Sequence, residues 1–198
     1  MTAAVPITRL KIVLDDVEPL VMRRIEVPMS LRLDQLHTVI QAALGWTDSH
    51  LYEFRIRGVG FGIPDPDWDG PLDARKATLI EVIEDTGAKS FKYLYDFGDG
   101  WEHTIKIERI EPAVKGVLYP RLLGAAGRCP PEDIGGPWGY HEFLEAIANP
   151  EHEQHEDALE WWGDDDFDPN ALNEADIEEV LKVLARRWKR KPRTKKSS

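Results

Sequence analysis

The chain has 198 residues, 42% of them hydrophobic and 31% charged, with a formal net charge of −11, the composition of a globular protein large enough for a proper core. No window approaches the roughly 18 consecutive apolar residues that a membrane-spanning helix needs, so no membrane partner is expected. A single cysteine, Cys129, excludes an internal disulfide, and Met1–Pro6 lacks a basic region followed by an apolar run; both features predict a cytoplasmic protein without a signal peptide.

The charge is unevenly placed. Residues 186–198 hold 8 of the 25 basic residues and no acidic one, which leaves 36 acidic against 17 basic groups in the 185 residues before them. An acidic body repels nucleic-acid phosphates, whereas a basic segment attracts them. Residues 189–198 are therefore expected to be a disordered, solvated tail, with 186–196 suited at most to a weak nucleic-acid contact.

In chain order, residues 7–14 alternate as a strand, with Leu10, Ile12 and Leu14 on one face, and residues 20–27 return as its antiparallel partner, stopped by Pro28. Residues 30–44 have the three-and-four spacing of a buried helix face at Leu33, Leu36, Ile40 and Leu44, and Gly45 ends it. Residues 51–57 alternate as a third strand. Residues 58–70, rich in Gly, Pro and Asp, read as a long loop. Residues 77–87 suit a short helix capped by Thr78.

Residues 89–97 and 101–110 form a central hairpin, with Phe91, Tyr93 and Tyr95 sharing one face of the first arm and Trp101, His103, Ile105 and Ile107 one face of the second. A Gly- and Pro-rich connection is expected from Pro112 to Gly139. Helices follow at 140–148, which Asn149-Pro150 stops, at 153–162 and at 173–188. The pattern predicts an α+β fold, a mainly antiparallel sheet with helices on one side and a helical C-terminal part, built as one domain over 7–188.

Four blocks of residues, taken together, resemble a known family. They are Pro19–Pro28 with Leu36–Gln41, Gly45-Trp46 and His50–Phe54; then Tyr95–His103; then Cys129–Asp133 with Gly135-Gly136 and Gly139-Tyr140; and last Phe167–Pro169. The family is the plasmid ORF-three-like proteins first named from a root-inducing plasmid, some of whose members are labelled TnpR-type passengers of insertion elements. The resemblance covers about residues 7–188 and implies no established activity. Met22 stands where many members have tryptophan before the Arg-Arg pair. Ile134 stands where many have a second cysteine, which counts against paired-thiol metal or redox chemistry.

The TnpR label implies recombinase chemistry, and the residues oppose it. A serine recombinase needs a nucleophilic serine beside phosphate-binding arginines, yet none of Ser30, Ser49, Ser90, Ser197 and Ser198 lies in a Tyr-x-Arg-x-Ser context. No histidine starts a His-x-x-Arg element. His152-Glu153-Gln154-His155 fails the zincin pattern too, because its histidines are three apart rather than four. Nor is there a Walker pattern or a Gly-x-Gly-x-x-Gly after a strand.

Two dense stretches remain, Tyr93–Ile105 and Gly127–Tyr140. They are expected to face each other as the walls of an aromatic and acidic cleft lined by Tyr95, Asp96, Asp99, Trp101, His103, Glu132 and Asp133, with Phe61 and Trp68 at its rim. Three functions are open. The first is a non-catalytic module binding a peptide, protein segment or small polar ligand. The second is an enzyme using a divalent metal held by Asp96, Asp99 and His103, with Cys129, Glu132, Asp133 or His141 approaching from the second stretch. The third is a mobile-element accessory touching DNA through its tail. Against the metal, Asp96 and Asp99 also suit turn-shaping hydrogen bonds, and His103 suits a buried core position.

Overall fold

The computed structural model describes residues 5–65, 67, 70–163 and 167–189. Strands Pro6–Leu14 (β1) and Met22–Pro28 (β2) pair antiparallel in a hairpin. Leu33–Leu44 (α1) then crosses to Tyr52–Ile56 (β3). Val59–Gly62 (β4), Leu72–Asp73 (β5) and Leu79–Thr86 (α2) precede the central hairpin of Ser90–Tyr95 (β6) and Trp101–Pro112 (β7). Arg121–Ala126 (β8) is followed by three helices, Gly136–Ala148 (α3), His155–Trp162 (α4) and Glu174–Lys189 (α5). The strands form one sheet in the order β5-β4-β3-β6-β7-β1-β2-β8, antiparallel throughout except for β4 with β5. The architecture is α+β.

Register explains which face is buried. Leu10, Ile12 and Leu14 of β1 pair with Ile107, Ile105 and His103 of β7, so the period of two along each strand puts all six on one side. The opposite face carries charge, with Lys11 opposite Lys106 and Arg24 bonded to Glu108 at 2.8 and 3.0 Å. Helix α1 lays Leu33, Leu36, Val39, Ile40 and Ala43 on the apolar side. It stops at Gly45, whose φ of 89° is the left-handed conformation that glycine takes without penalty. Helix α2 opens on a reciprocal cap between Thr78 and Glu81.

Two segments differ from the sequence expectation. The stretch after Ile56 is not a loop throughout: Arg57 and Gly58, at φ 50° and 84°, make a tight hairpin turn, and β4 pairs back on β3. Turns of this kind usually announce themselves as Asn-Gly, and Arg-Gly hides the signal. Trp68, expected at the cleft rim, lies outside the described residues, as do residues 190–198 of the tail. The connection after Pro112 likewise contains β8, which closes the sheet against β2, and α3 begins at Gly136 because Pro137 fits the first helical turn.

Candidate functional site

The β6–β7 turn is built by Asp96. Its backbone takes a φ of 54°, and its Oδ1 accepts hydrogen bonds from the N–H groups of Gly98 (2.9 Å) and Asp99 (3.3 Å). A short polar side chain that caps its own turn is what makes this conformation tolerable away from glycine. The turn then meets the second dense stretch directly. Gly135 N–H donates to Asp99 Oδ2 at 3.2 Å, and Gly136 passes so close that a Cβ there would lie 2.1 Å from the Asp99 carbonyl oxygen.

Immediately before the turn, at the end of β6, Tyr95 Oη donates to Glu132 Oε1 at 2.6 Å while accepting from Ser49 N–H at 3.0 Å. Glu132 Oε2 also accepts from Thr47 N–H, and Trp46 Nε1–H donates to the Pro130 carbonyl at 2.9 Å. Residues 46–50, the turn at Asp96 and the run from Pro130 to Gly136 therefore interlock. The two dense stretches touch rather than flank an open cleft.

This contact redistributes the expected site residues. Tyr95, Trp101 and His103 are completely buried and cannot line an open cleft. They lie on the inward face of the sheet, where hydrophobic burial outweighs whatever polar use their side chains offered. His103 sits with Nδ1 3.2 and 3.1 Å from the carbonyl oxygens of Tyr93 and Trp101, so Nδ1 carries the proton, and burial pulls its pKa down to about 4. A neutral imidazole enclosed by carbonyls is a core group. Asp96 is nearly buried, Asp99 and Glu132 are half-buried, and Asp133 is exposed.

Among the described residues, one group of three metal-ligating side chains comes within 4.8 Å, and it is His50, Asp96 and Asp133. His50 Nε2 lies 3.0 Å from Asp133 Oδ1 and 3.5 Å from Asp96 Oδ2. The atom is sealed from solvent, yet neither carboxylate meets it in hydrogen-bonding geometry. Asp96 and Asp133 are thus brought together, whereas Asp99 and His103 stand outside the group. His50 supplies the nitrogen. It reaches Asp96 because β3 pairs with β6, with Tyr52 opposite Tyr95 and Asp96 N–H bonded to Leu51 O at 2.9 Å. Of the other approaching groups, Cys129 is half-buried with desolvation pushing its thiol pKa up, and His141 faces Glu145 along α3 at 3.4 Å.

A polar chain inside the core escaped the sequence reading. His37 Nε2 lies 2.6 Å from Asp48, Nδ1 lies 2.7 Å from Tyr93 Oη, and Gln41 Nε2–H donates to the same Oη at 3.0 Å. These partners require Nε2–H to donate to Asp48 and Tyr93 to donate to Nδ1. Burial lowers the His37 pKa against the opposing pull of Asp48, which keeps the ring neutral. The ring stacks on Tyr52 at 3.6 Å. The chain pins the loop at Asp48, and with it His50, to the sheet.

Two cavities open on either side of the interlocked segments. One, of about 340 Å³, lies toward Arg23, Trp46, Cys129 and Trp162. The other, of about 350 Å³, is a groove between α3 and α4 lined by Asp133, Glu142, Phe143, Asp157 and Trp161. Trp138 stands 72% exposed on α3, whereas Tyr140 is buried. Aromatic and acidic lining is thus present, but α3 and α4 provide most of it.

A one-sided, mainly antiparallel α+β sheet whose hairpin turn is locked to a Pro-Pro-Glu-Asp segment defines the class of protein. The family model described as plasmid pRiA4b ORF-3-like protein matches residues 6–176, and the chain belongs to that family. It is 60% identical over 190 residues, 96% of this chain and 97% of the other, to the uncharacterized protein y4hQ of Sinorhizobium fredii (strain NBRC 101917 / NGR234). Among solved structures it resembles MM3350 of Methanosarcina mazei Go1, crystallised as a protein of unknown function, at 36% identity and a TM-score of 0.79, over 89% of this chain and 99% of that one.

Proposed function

We propose that the chain is a non-catalytic binding module whose acidic junction takes a divalent cation through His50 Nε2 and the carboxylates of Asp96 and Asp133. The observation that carries this reading is the convergence of the three ligand atoms within 4.8 Å around an imidazole nitrogen without a hydrogen-bond partner among the described residues. One nitrogen and two carboxylates suit zinc or manganese. The groove of Asp133, Glu142 and Asp157 would extend the site for a ligand bound beside the ion, with Phe143 and Trp161 as apolar contacts.

A binding role is favoured over catalysis by the pattern of perturbed groups. Burial drives the His103 and His37 imidazoles away from protonation and the Cys129, Tyr93 and Tyr95 groups away from ionisation. Catalytic acids and bases are shifted toward working pH, and these are shifted away from it. One observation favours the metal-dependent enzyme as a second reading: the Asp133 side chain is 73% exposed, which would leave coordination positions open to a substrate.

Elemental analysis and zinc and manganese calorimetry on protein purified without a histidine tag test the proposal. One ion per chain is expected, with affinity at least about tenfold weaker in Asp133→Asn and His50→Ala. Asp133 is exposed enough for its variant to fold normally. Protein that takes up neither metal, with unchanged behaviour in Asp133→Asn, leaves the trio as a loop latch and ends the proposal. Metal-dependent turnover of a carboxylic or phosphoric ester that disappears in Asp133→Asn would select the enzyme reading.

A further inference from the structure

The cavity toward Arg23, Trp46, Cys129 and Trp162 brings arginines to its wall, which the groove between α3 and α4 does not. Arg23 of β2 is only 1% exposed, the one cation among the fully buried side chains of the described residues. Its Nε–H donates to Ala43 O at 2.7 Å, and Nη1 donates to Met22 O, Ala126 O and Gly127 O at 2.8, 2.9 and 3.1 Å. Every acceptor is an uncharged carbonyl. Among the described residues Nη2 makes no hydrogen bond, and no carboxylate lies within ion-pair distance of the guanidinium. The same strand shows how the fold treats its other buried charge: Glu26, also 1% exposed, is clasped by Arg9 at 2.9 Å and Arg121 at 2.6 Å. A buried charge without a directly bonded counter-charge is costly, and among the described residues of this strand Arg23 is the exception, with Glu174 acting on it only from beyond ion-pair distance.

The missing charge is not Cys129. Its thiol adjoins Arg23 on the cavity wall, but burial raises its pKa and keeps it protonated. The cavity offers further donors instead. Arg128 lies with its guanidinium 4.8 and 4.7 Å from the Trp162 and Phe167 ring centroids, and the buried Trp162 Nε1–H has no acceptor among the described residues. Leu44, Pro131 and Ile177 make the remaining wall apolar.

From this we infer that the cavity of about 340 Å³ beneath Cys129–Glu132 is a binding site for a small organic anion, whose carboxylate or phosphoryl group sits on Arg23 and Arg128. Glu132 and Asp176 also border the space, and they disfavour polyphosphates and nucleic acid. Asp176 is occupied by Asn173 Nδ2–H at 2.7 Å, and Glu132 by Tyr95 and Thr47, so neither neutralises the arginines by direct contact.

The test is a titration of the full chain with inorganic phosphate, acetate and succinate, followed by the indole N–H resonance of Trp162, assigned with Trp162→Phe. A saturable shift is expected with at least one probe. Saturation by phosphate alone identifies a phosphoryl ligand, and saturation by acetate or succinate alone a carboxylate. Affinity should fall about tenfold or more in Arg128→Gln and in Arg23→Lys, which keeps the charge but loses the fork. Arg23→Lys risks the fold, so its amide spectrum is compared with the parent; if it is unfolded, Arg128→Gln decides. No saturable shift with any probe, or parent affinity in the folded variants, overturns the inference. Asp133→Asn should leave the anion affinity untouched, which separates this site from the cation site.

Discussion

His103 and Glu26 are buried titratable groups with opposite chemistry, and both make the protein acid-sensitive. The unfolded imidazole takes a proton below about 6.5, but burial, against the opposing pull of the Tyr93 and Trp101 carbonyls, makes the folded one wait until about 4. Its stabilising contribution is therefore complete above pH 6.5 and is lost as pH falls toward 4, about 3 kcal/mol in all. His103→Leu should flatten the melting-temperature profile across that window. Glu26 acts lower. Burial pushes its carboxyl up, but the hydrogen bonds and charges of Arg9 and Arg121 outweigh this and hold it below its ordinary 4.5. Its contribution is intact above pH 4.5 and fades as pH falls through the folded value. Glu26→Gln should cost about 1–2 kcal/mol in urea denaturation at pH 7, because it removes the charge-assisted bonds from Arg9 and Arg121, whose side chains are 30% and 41% exposed and can turn to water instead. At this scale the sequence was informative but incomplete. Of the seven residues expected to line a cleft, Asp96 and Asp133 lie beside His50 and Glu132 is bonded to Tyr95, while Trp101 and His103 are in the core. His50 was not legible, because nothing local tells that β3 will lie against β6 with a second hairpin strand, β5 and α2 between them in the chain. The alternation that grouped His103 with Ile105 and Ile107 already placed it in the core, and burial rather than ligation decided its role.

Among the elements, those with strong periodicity were readable. Helix α1, the Thr78 cap of α2 and the strands of the central hairpin follow from spacing, because each is decided by its own residues. Strands β4 and β8 were hidden, since Gly-rich and Ala-rich segments acquire strand character only from the partner edge that accepts them. The joint between the hairpin turn and α3 is likewise set by tertiary contact. Gly136 has a φ of 72° and no room for a Cβ against the Asp99 carbonyl, so both conformation and space forbid a side chain. Gly136→Ala should destabilise by about 2–4 kcal/mol, read as a lower urea midpoint. Gly124→Ala, in β8 with open space around it, is the matched control and should cost well under that.

Over the whole molecule, charge separates the chain into a body and an end. The first 189 residues hold 36 acidic against 20 basic groups, and of the basic residues closing α5, Arg186 is already paired with Glu179 at 3.2 Å. Any affinity for duplex DNA should therefore depend on residues 190–198. Ending the chain at Lys189 should abolish an anisotropy change with labelled DNA at low salt, and binding that survives the truncation would point to a basic surface on the body. The interlock around the Pro-Pro run has a consequence of another kind. Cys129 is the sole thiol, half-buried on the wall of the cavity beside Arg23. An alkylating reagent reaches such a thiol through the cavity, at a rate held down by the desolvation that raises its pKa and leaves little thiolate. Its reaction rate is thus a gauge of access to that cavity, and an anion held against Arg23 and Arg128 would slow the reaction without any label being added.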